Sequence, residues 1–215
     1  MSLIVSVFLN DGIIMASDSR TTYKTKTSVR YTDQTYKTVL MDNKFGISHC
    51  LNATVNGKTV DFHLQNFMKI YKGKGLTKIP NLLKEYFLSL NPNCNIEFLI
   101  CGYINEKAYG YRVQTQGIIE KLITNPLHVY WAGERDVPSR LFSSVYYKKG
   151  NKFYDHSYHR LKLETFSIPG GIDFAEFLIN TAKNVMAYQE CDQTIGGPID
   201  ILVLKPYESY WYRKK

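Results

Sequence analysis

The sequence predicts an α+β fold in which two antiparallel sheets pack face to face with helices on their outer sides. Three observations predict it: the chain opens with a hairpin signal, its middle alternates short apolar segments with turn residues, and helical patterns interrupt those segments in pairs. The resulting order is strands, two helices, strands, two helices and a final strand. No internal repeat, low-complexity stretch or linker divides the 215 residues, so we expect one domain spanning residues 1–215.

The first twenty residues predict a β-hairpin. Two apolar, β-branched runs flank Asn10-Asp11-Gly12, which is a strong turn signal. A two-residue turn at Asp11-Gly12 would pair Asp18 with about Val5. Asp18 would then lie roughly 10 Å along the sheet from Ser2. We therefore expect a third, longer side chain, such as a lysine, to bridge the two.

Local patterns predict the remaining elements. Residues 21–34 are polar and form a long hairpin or a loop, and residues 149–167 are basic, aromatic and irregular. The spacing of apolar residues predicts helices over Ala53–Tyr71, Pro80–Leu90, Pro138–Tyr147 and Asp173–Gln189. Apolar runs between turn residues predict strands at Tyr36–Met41, Lys44–Ser48, Ile96–Cys101, Ala108–Val113, Gly117–Leu122 and Val129–Gly133. The aromatic tail Tyr207–Arg213 fits either an interface or packing on its own domain.

Ser2 is a candidate nucleophile. It follows Met1, and processing enzymes can remove a methionine that precedes a residue as small as serine. Removal would leave a hydroxyl and a free α-amine on one residue. An α-amine has a pKa of roughly 8, so part of it is unprotonated and can accept the hydroxyl proton. Nucleophile and base would then both come from Ser2.

Two runs resemble a known family. The run from Asp11 to Arg20, Asp-Gly-Ile-Ile-Met-Ala-Ser-Asp-Ser-Arg, is similar to the opening hairpin of proteasome β-type subunits. The run from Asp192 to Val203 resembles the family's Asp-x-x-Ser-Gly-Gly loop and following strand, and its Gly-Gly-Pro-Ile-Asp form is closest to bacterial Anbu-type proteasome homologues. The two motifs stand in the family's order, across nearly the whole chain. The resemblance implies the four-layer αββα sandwich of N-terminal nucleophile hydrolases and the hydrolysis of peptide bonds.

The resemblance also implies the catalytic residues. Ser2 is in register with the family's N-terminal threonine, and Asp18 matches its hairpin aspartate. Lys37 matches the lysine at the start of the next strand, although a register shifted by one would place Thr38 there. From the residues alone, Lys37 also fits an exposed strand-edge lysine and Asp18 a turn cap. Arg20 fits a partner of Asp18 or of a neighbouring loop.

The loop motif and the strand junctions depart from the family in part. Asp192 matches the loop aspartate that orients the nucleophile, while Ile195 stands where the family has serine. The glycine of the oxyanion hole is missing, so a backbone N–H near Cys50 or Leu51 would serve. The family has a Ser-Gly pair at a strand-to-helix junction that supports the nucleophile, and here Gly133 keeps only the glycine. These departures favour an alternative, a non-catalytic scaffold subunit of a proteasome-like oligomer.

The implied reaction needs no cofactor and no metal. The Ser2 hydroxyl attacks a peptide carbonyl, and its amine moves the proton directly or through water. Lys37, held by Asp18, lowers the proton affinity of the amine through its positive field. An ester intermediate then reacts with water. The implied partners are a peptide or unfolded protein substrate and further copies of the chain in a ring or helical stack; an ATPase partner is not specified.

Composition argues against other classes. The net charge of +8 and pI of about 9.2 permit nucleic-acid binding, but the lysines are dispersed and no nucleic-acid motif is present, which favours solvated faces. No apolar run approaches the roughly 20 residues that span a bilayer. The N-terminus also lacks a signal peptide's basic flank and cleavage site, so we expect a cytoplasmic protein without membrane contact.

The cysteines and histidines predict no metal or thiol chemistry. The four cysteines fit neither a zinc spacing nor a disulfide framework in a reducing compartment, so we expect buried free thiols. The adjacent His49 and Cys50 would point to opposite faces of a strand, which argues against a thiol–imidazole pair. His156-x-x-His159 lacks nearby carboxylates and is more typical of a surface loop than of a metal site.

Overall fold

The structure, a computed structural model, describes residues 2–24, 27–124, 127–143, 145–156 and 161–215. Over these residues it is a mixed α/β fold of antiparallel sheets and four α-helices. The strands are β1 (Leu3–Phe8), β2 (Ile13–Ser17), β3 (Thr21–Lys24), β4 (Val29–Thr32), β5 (Thr38–Met41), β6 (Phe45–Leu51), β7 (Thr54–Val55), β8 (Lys58–Thr59), β9 (Ile96–Ile104), β10 (Lys107–Gln114), β11 (Ile119–Lys121), β12 (His128–Gly133), β13 (Val145–Lys149), β14 (Lys152–His156), β15 (Asp200–Leu204) and β16 (Ser209–Arg213). The helices are α1 (Val60–Ile70), α2 (Ile79–Leu90), α3 (Asp136–Phe142) and α4 (Ile168–Met186). Within this described part of the chain, no helix has the length and apolar character needed to cross a membrane.

The first large sheet has the strand order β12-β1-β2-β15-β16, with every pair antiparallel. Strands β1 and β2 are buried along their whole length, which explains why apolar residues run through them instead of alternating with polar ones. Leu3, Val5 and Val7 join an apolar cluster with α4. The alternate residues Ile4 and Phe8 belong to other clusters, because successive side chains of a strand point to opposite faces.

The second large sheet has the order β11-β10-β9-β6-β5, again antiparallel throughout. One face packs against α1 and α2 through an apolar cluster that includes Ile47, Phe67 and Phe87. Two smaller clusters contain residues from both sheets: one joins Phe8 of β1 to Cys101 of β9, and the other includes Ala132, Leu99 and Cys50.

The opening hairpin has its turn one residue earlier than predicted. The Leu9 N–H donates to the Gly12 carbonyl at 2.9 Å, so Asn10-Asp11 forms the turn and Ile4 pairs with Ser17. Gly12 does not have positive φ. Its lack of a side chain serves packing, since a Cβ there would lie 3.1 Å from Ile168 and 3.1 Å from the Leu204 carbonyl oxygen.

Two predicted helices begin elsewhere. Helix α1 begins at Val60 and not at Ala53, because Asn56 and Gly57 have φ of 48° and 74° and form the turn of the short β7–β8 hairpin. Helix α4 begins at Ile168, five residues before the predicted start at 173, and ends at 186. Phe177 of this helix is 48% exposed, although its neighbours Phe174 and Leu178 are buried.

Two segments outside the large sheets contain short hairpins. Residues 21–24 pair with 29–32 as β3–β4, which is the hairpin alternative for that region. Helix α3 ends at 142, and β13 pairs with β14 where the sequence favoured a helix end and a loop. The aromatic tail forms β16 on β15 of the same chain. His159 lies outside the described residues, and His156 is described only as the last residue of β14.

All four cysteines are free. Cys50, Cys94 and Cys101 are buried, as predicted, whereas Cys191 is exposed in the segment after α4. The prediction is wrong for Cys191 because that segment has no regular structure that would pack it into a core.

Candidate active site

Asp18 lies beside the first residues of β1. Because the turn is shifted, Asp18 lies opposite Leu3 and not Val5: its N–H donates to the Leu3 carbonyl at 3.3 Å, and its Oδ1 accepts the Leu3 N–H at 3.1 Å. The predicted gap along the sheet between Asp18 and Ser2 is therefore wrong. Asp18 instead bonds directly to the residue that follows Ser2.

The Asp18 carboxylate is completely buried and accepts four hydrogen bonds. Its backbone donors are the N–H groups of Leu3, of Arg20 at 3.0 Å and of Gly196 at 3.1 Å, and its fourth donor is Lys37 Nζ at 2.8 Å. A buried charge is strongly unfavourable unless it is paired and hydrogen-bonded. This carboxylate has both kinds of compensation, so its position is fixed by three backbone segments and one ammonium group.

Lys37, directly before β5, is the lysine that meets Asp18. Its side chain is 2% exposed and also donates to the Arg20 carbonyl. Burial lowers the pKa of Lys37, and the Asp18 carboxylate opposes that change. The neighbouring Thr38 instead bonds to Ser17 at 2.9 Å and to Ser48 at 2.8 Å. Geometry therefore favours Lys37 over the shifted register, while its catalytic role stays a prediction.

Ser2 is hydrogen-bonded at the C-terminal end of β12. It is 7% exposed, and its carbonyl accepts the Glu134 N–H at 2.7 Å. Gly133 has φ of 89°, and a Cβ there would lie 1.8 Å from the Ser2 carbonyl oxygen. Gly133 is thus required twice, for its left-handed backbone and for this close approach.

A cavity of about 300 Å³ opens next to these groups. Ser2, Lys37, Thr21 and residues 49–54 contribute to its lining. Its volume is at the lower end of the range for small-molecule sites. The candidate nucleophile and the buried ammonium group therefore share one cavity.

His49 gives this cavity a neutral imidazole. The ring is buried, its Nε2 is 3.3 Å from the Tyr36 carbonyl, and its Nδ1 has no hydrogen-bond partner among the described residues. Burial and then the charge of Lys37 lower the pKa of His49 to about 4. Cys50 points elsewhere, its Sγ lying 3.6 Å from the Glu97 carbonyl, and burial raises the pKa of its thiol. The two side chains form no thiol–imidazole pair, in agreement with the prediction.

Leu51 has a backbone conformation that favours glycine. Its φ is 77°, in the left-handed region that costs an ordinary residue about 1–2 kcal/mol. It lines the cavity within the region, near Cys50 or Leu51, where the resemblance implies an oxyanion hole. The missing glycine was visible in the sequence, but only the structure shows that the backbone keeps the glycine-type conformation.

The loop before β15 supports Asp18 through backbone groups. Gly196 donates to Asp18, and its carbonyl accepts the Ser19 N–H at 3.0 Å. A Cβ on Gly196 would lie 2.4 Å from the Arg20 guanidinium carbon. Arg20 binds Asp33 through two contacts of 2.8 and 2.9 Å, which raises the pKa of Arg20 and lowers that of Asp33. Arg20 therefore pairs with a neighbouring loop.

Asp192 and Ile195 belong to other parts of the loop's surroundings. Asp192 lines a different cavity, of about 340 Å³, together with Glu134 and Met186. Ile195 is buried in the apolar cluster beneath α4. Glu134, which lines this second cavity, donates its N–H to the carbonyl of Ser2, which lines the first. The predicted role of Asp192 in orienting the nucleophile stays a prediction.

Two sequence hypotheses concern residues that the structure does not describe. Met1, whose removal the mechanism requires, and His159 both lie outside the described ranges. Within those ranges, no group of three or more His, Cys, Asp or Glu side chains is arranged to hold a metal ion.

Comparison with known proteins establishes the fold. No family model and no curated protein sequence matches the chain. Among solved structures, an Anbu (Gly-1) mutant from Hyphomicrobium sp. strain MC1 is similar, with a TM-score of 0.69 and 13% sequence identity over 100% of this chain and 86% of that one. The chain therefore has the fold of Anbu, in agreement with the resemblance in its motifs. At 13% identity the similarity carries the fold and not the activity.

Proposed function

We propose that this protein is a proteasome-like peptidase that hydrolyses peptide bonds with an N-terminal serine, Ser2, after removal of Met1. The observation that carries the proposal is the buried contact of 2.8 Å between Lys37 and Asp18, which lies at the start of β1 and shares a cavity with Ser2. Buried charged groups at a cavity are more typical of functional sites than of structural ones.

The proposed chemistry follows from these positions. The Ser2 hydroxyl adds to the peptide carbonyl carbon while the Ser2 α-amine takes its proton. The amine then returns the proton to the leaving nitrogen as the C–N bond breaks, and water hydrolyses the resulting ester by the same route. The positive field of Lys37, held by Asp18, keeps the α-amine in its neutral, basic form. Backbone N–H groups near Leu51 are the proposed oxyanion donors.

We also infer the wider setting of the site. The two clusters that contain residues of both large sheets support a four-layer αββα arrangement of one domain. A cytoplasmic protein that assembles into a ring or helical stack of identical chains and acts on peptides or unfolded protein fits the resemblance. Nucleic acid and membranes are not proposed partners.

The test is the intact mass of the protein before and after incubation with a peptide epoxyketone. This reagent needs a hydroxyl and a free α-amine on one residue to complete its adduct ring. We expect a chain that lacks Met1 to gain the mass of the inhibitor. The matched control is Ser2→Ala, which keeps a small residue after Met1 but removes the hydroxyl, and which should gain nothing. If Met1 is retained, a cleavable fusion that exposes Ser2 is used first.

The alternative is a non-catalytic scaffold subunit of a proteasome-like oligomer. Ile195, buried in apolar surroundings, favours it, because the residue cannot supply the hydroxyl that the resemblance implies at this position. A chain that lacks Met1 and gains no inhibitor mass, although it is folded and assembled, would support the scaffold and contradict the peptidase.

A further inference from the structure

A second buried ion pair lies beside the first. Lys215 Nζ is 2.6 Å from Asp200 Oδ2, and the Lys215 N–H donates to Asp200 Oδ1 at 2.8 Å. Asp200 is completely buried, and the side chain of Lys215 is 7% exposed. Asp200 begins β15 and pairs with Ser17 of β2, so this pair lies one residue away from Asp18 along the sheet.

The same ammonium group contacts the backbone segments that carry Asp18 and Lys37. Lys215 Nζ donates to Ser19 Oγ at 2.7 Å and to the Thr35 carbonyl at 2.8 Å. Ser19 directly follows Asp18, and Thr35 precedes Lys37 by two residues. The Thr35 N–H also donates to the Ser19 carbonyl at 3.2 Å. Three donors of one side chain thus join β15 to both segments.

We propose that Lys215, through Asp200, is a positioning residue for the reaction proposed above: its ammonium group fixes the two segments whose side chains form the Asp18–Lys37 contact. The inference rests on the proposed function for its role in the reaction. Lys215 touches neither Ser2 nor the cavity in the described geometry, so it acts through its neighbours.

The general energetics of buried ion pairs offer little stability as a reason for this arrangement. A buried ion pair usually contributes little net stability, because desolvation offsets the attraction and an apolar pair often does as well. Lys214 provides the contrast. It is exposed, and its contacts are with the rings of Trp211 at 4.9 Å and Tyr36 at 5.5 Å. Of these two adjacent lysines, only Lys215 contacts the segments that carry Asp18 and Lys37.

The charge of Lys215 also acts on Lys37. Burial is the main cause of the lowered pKa of Lys37, and the positive charge of Lys215 lowers it further. Other titratable groups act on Lys37 or are acted on by it from the surrounding elements: Asp18, Cys50, His49 and Asp33. Loss of the Lys215 charge should therefore move the acidic limb of the pH–rate profile to higher pH, since the amine and lysine would hold their protons more strongly.

The test compares Lys215→Met, the double variant Asp200→Asn with Lys215→Met, and the control Lys214→Met, which removes the same charge from an exposed position. Lys215→Met leaves Asp200 buried without its ammonium partner, so a loss of stability is expected from that variant alone. The double variant removes the unpaired charge and should regain much of the stability in urea unfolding. It still lacks the contacts to Ser19 and Thr35.

Two readouts are measured on each protein. The first is the rate of modification of exposed Ser2 by a peptide epoxyketone over a range of pH. The second, which needs no activity, is amide hydrogen exchange at Arg20 and Thr35, with the amides of α1 as reference. We expect the double variant to react about tenfold more slowly and to exchange about tenfold faster at Arg20 and Thr35. The acidic limb should move to higher pH in Lys215→Met, whereas in the double variant the loss of the Asp200 charge offsets the loss of the Lys215 charge. Lys214→Met should match the unmodified protein.

The outcomes separate the two proposals. A double variant that matches the unmodified protein in both rate and exchange overturns the positioning role. If the unmodified protein with exposed Ser2 does not react, the proposed peptidase fails, and exchange alone decides: faster exchange at Arg20 and Thr35 in the double variant supports positioning by Lys215, and unchanged exchange overturns it.

Discussion

The two ends of the β1–β2 hairpin differ in the chemistry of what surrounds them. At the turn, Phe8 and Ile13 belong to an apolar cluster with Leu204, and the turn residue Asp11 accepts one hydrogen bond, from the Ile168 N–H at 3.1 Å. At the open end, the cluster of buried charges consists of Asp18, Lys37, Asp200 and Lys215, with His49 close by. Both ends are covered by protein, but only the open end buries ion pairs.

This difference between the two ends indicates that hydrophobic packing alone does not explain the residues at the open end. Apolar burial contributes roughly 25 cal/mol per Å², and the turn end relies mainly on it. Ion pairs in a protein interior rarely improve on apolar side chains of similar volume. A fold that buries one such pair at a cavity and a second pair directly behind it therefore points to a functional site. The predictions below test this contrast.

The largest effect is expected at Asp18, when each of the two hairpin aspartates is replaced separately. Asp18→Ala leaves Lys37 buried without its carboxylate and three N–H groups without an acceptor, so we expect a loss of about 3–5 kcal/mol in the free energy of unfolding. Asp11→Ala, the matched control at the turn, removes one hydrogen bond and should cost about 1 kcal/mol. Urea unfolding measures both, and equal losses would contradict the contrast between the two ends.

Replacement of Gly133 by alanine should destabilise the protein more than the same replacement at Gly150, a glycine that also has positive φ but lies in an open position. Gly133→Ala places a methyl group against the Ser2 carbonyl, and we expect it to cost about 3 kcal/mol or more. Gly150 has φ of 62° with nothing within 4 Å of an added Cβ, so Gly150→Ala should cost about 1 kcal/mol. Thermal unfolding decides, and a tolerated Gly133→Ala would show that Ser2 is not held as described.

The sequence predicted the parts of the site that local patterns or motif positions mark. The hairpin, the strand that follows Lys37 and the glycine at 133 were all predicted from residues that stand next to recognisable neighbours. The turn position did not, because Gly12 is needed for packing on Ile168 and Leu204 and not for its own φ. A local turn signal cannot show a contact with residues more than 150 positions away.

Lys215 and Leu51 show a second limit of sequence reasoning. Nothing near Lys215 distinguishes it from Lys214, because its partners Ser19 and Thr35 are distant in the chain and meet it only through the pairing of β15 with β2. The φ of Leu51 depends on the junction after β6, where tertiary packing overrides the preference of the residue. Neither feature leaves a periodic or motif signal.

His49 should give the open end a pH dependence of stability that the turn end lacks. Its folded-state pKa of about 4 lies below its ordinary 6.5, so the unfolded chain binds the proton first. The stabilising effect is complete above pH 6.5 and is lost as pH falls toward 4; between pH 7 and 5 the loss is about 2 kcal/mol. We expect His49→Gln to remove this component of the unfolding free energy measured in urea.

The control for His49 is His128→Gln, which changes an exposed histidine on β12. Partial burial lowers the pKa of His128 as well, so that variant should remove a smaller part of the pH dependence than His49→Gln does. If His49→Gln and the unmodified protein lose the same stability between pH 7 and 5, the imidazole is protonated in the folded state and does not line the cavity as a neutral group.

The smallest effect is expected at Leu51, where the test is whether the glycine or the alanine variant is the more stable. In an ordinary strand position glycine is less stable than alanine by roughly 0.5–1 kcal/mol. At φ of 77° the order should reverse, because alanine keeps the strain of a Cβ in the left-handed region whereas glycine has none. We expect Leu51→Gly to be about 1 kcal/mol more stable than Leu51→Ala in urea unfolding. The matched pair at Leu99, in the middle of β9, should show the ordinary order. If the alanine variant is the more stable at both positions, Leu51 does not have the left-handed conformation. That result would also contradict the proposed source of oxyanion donors.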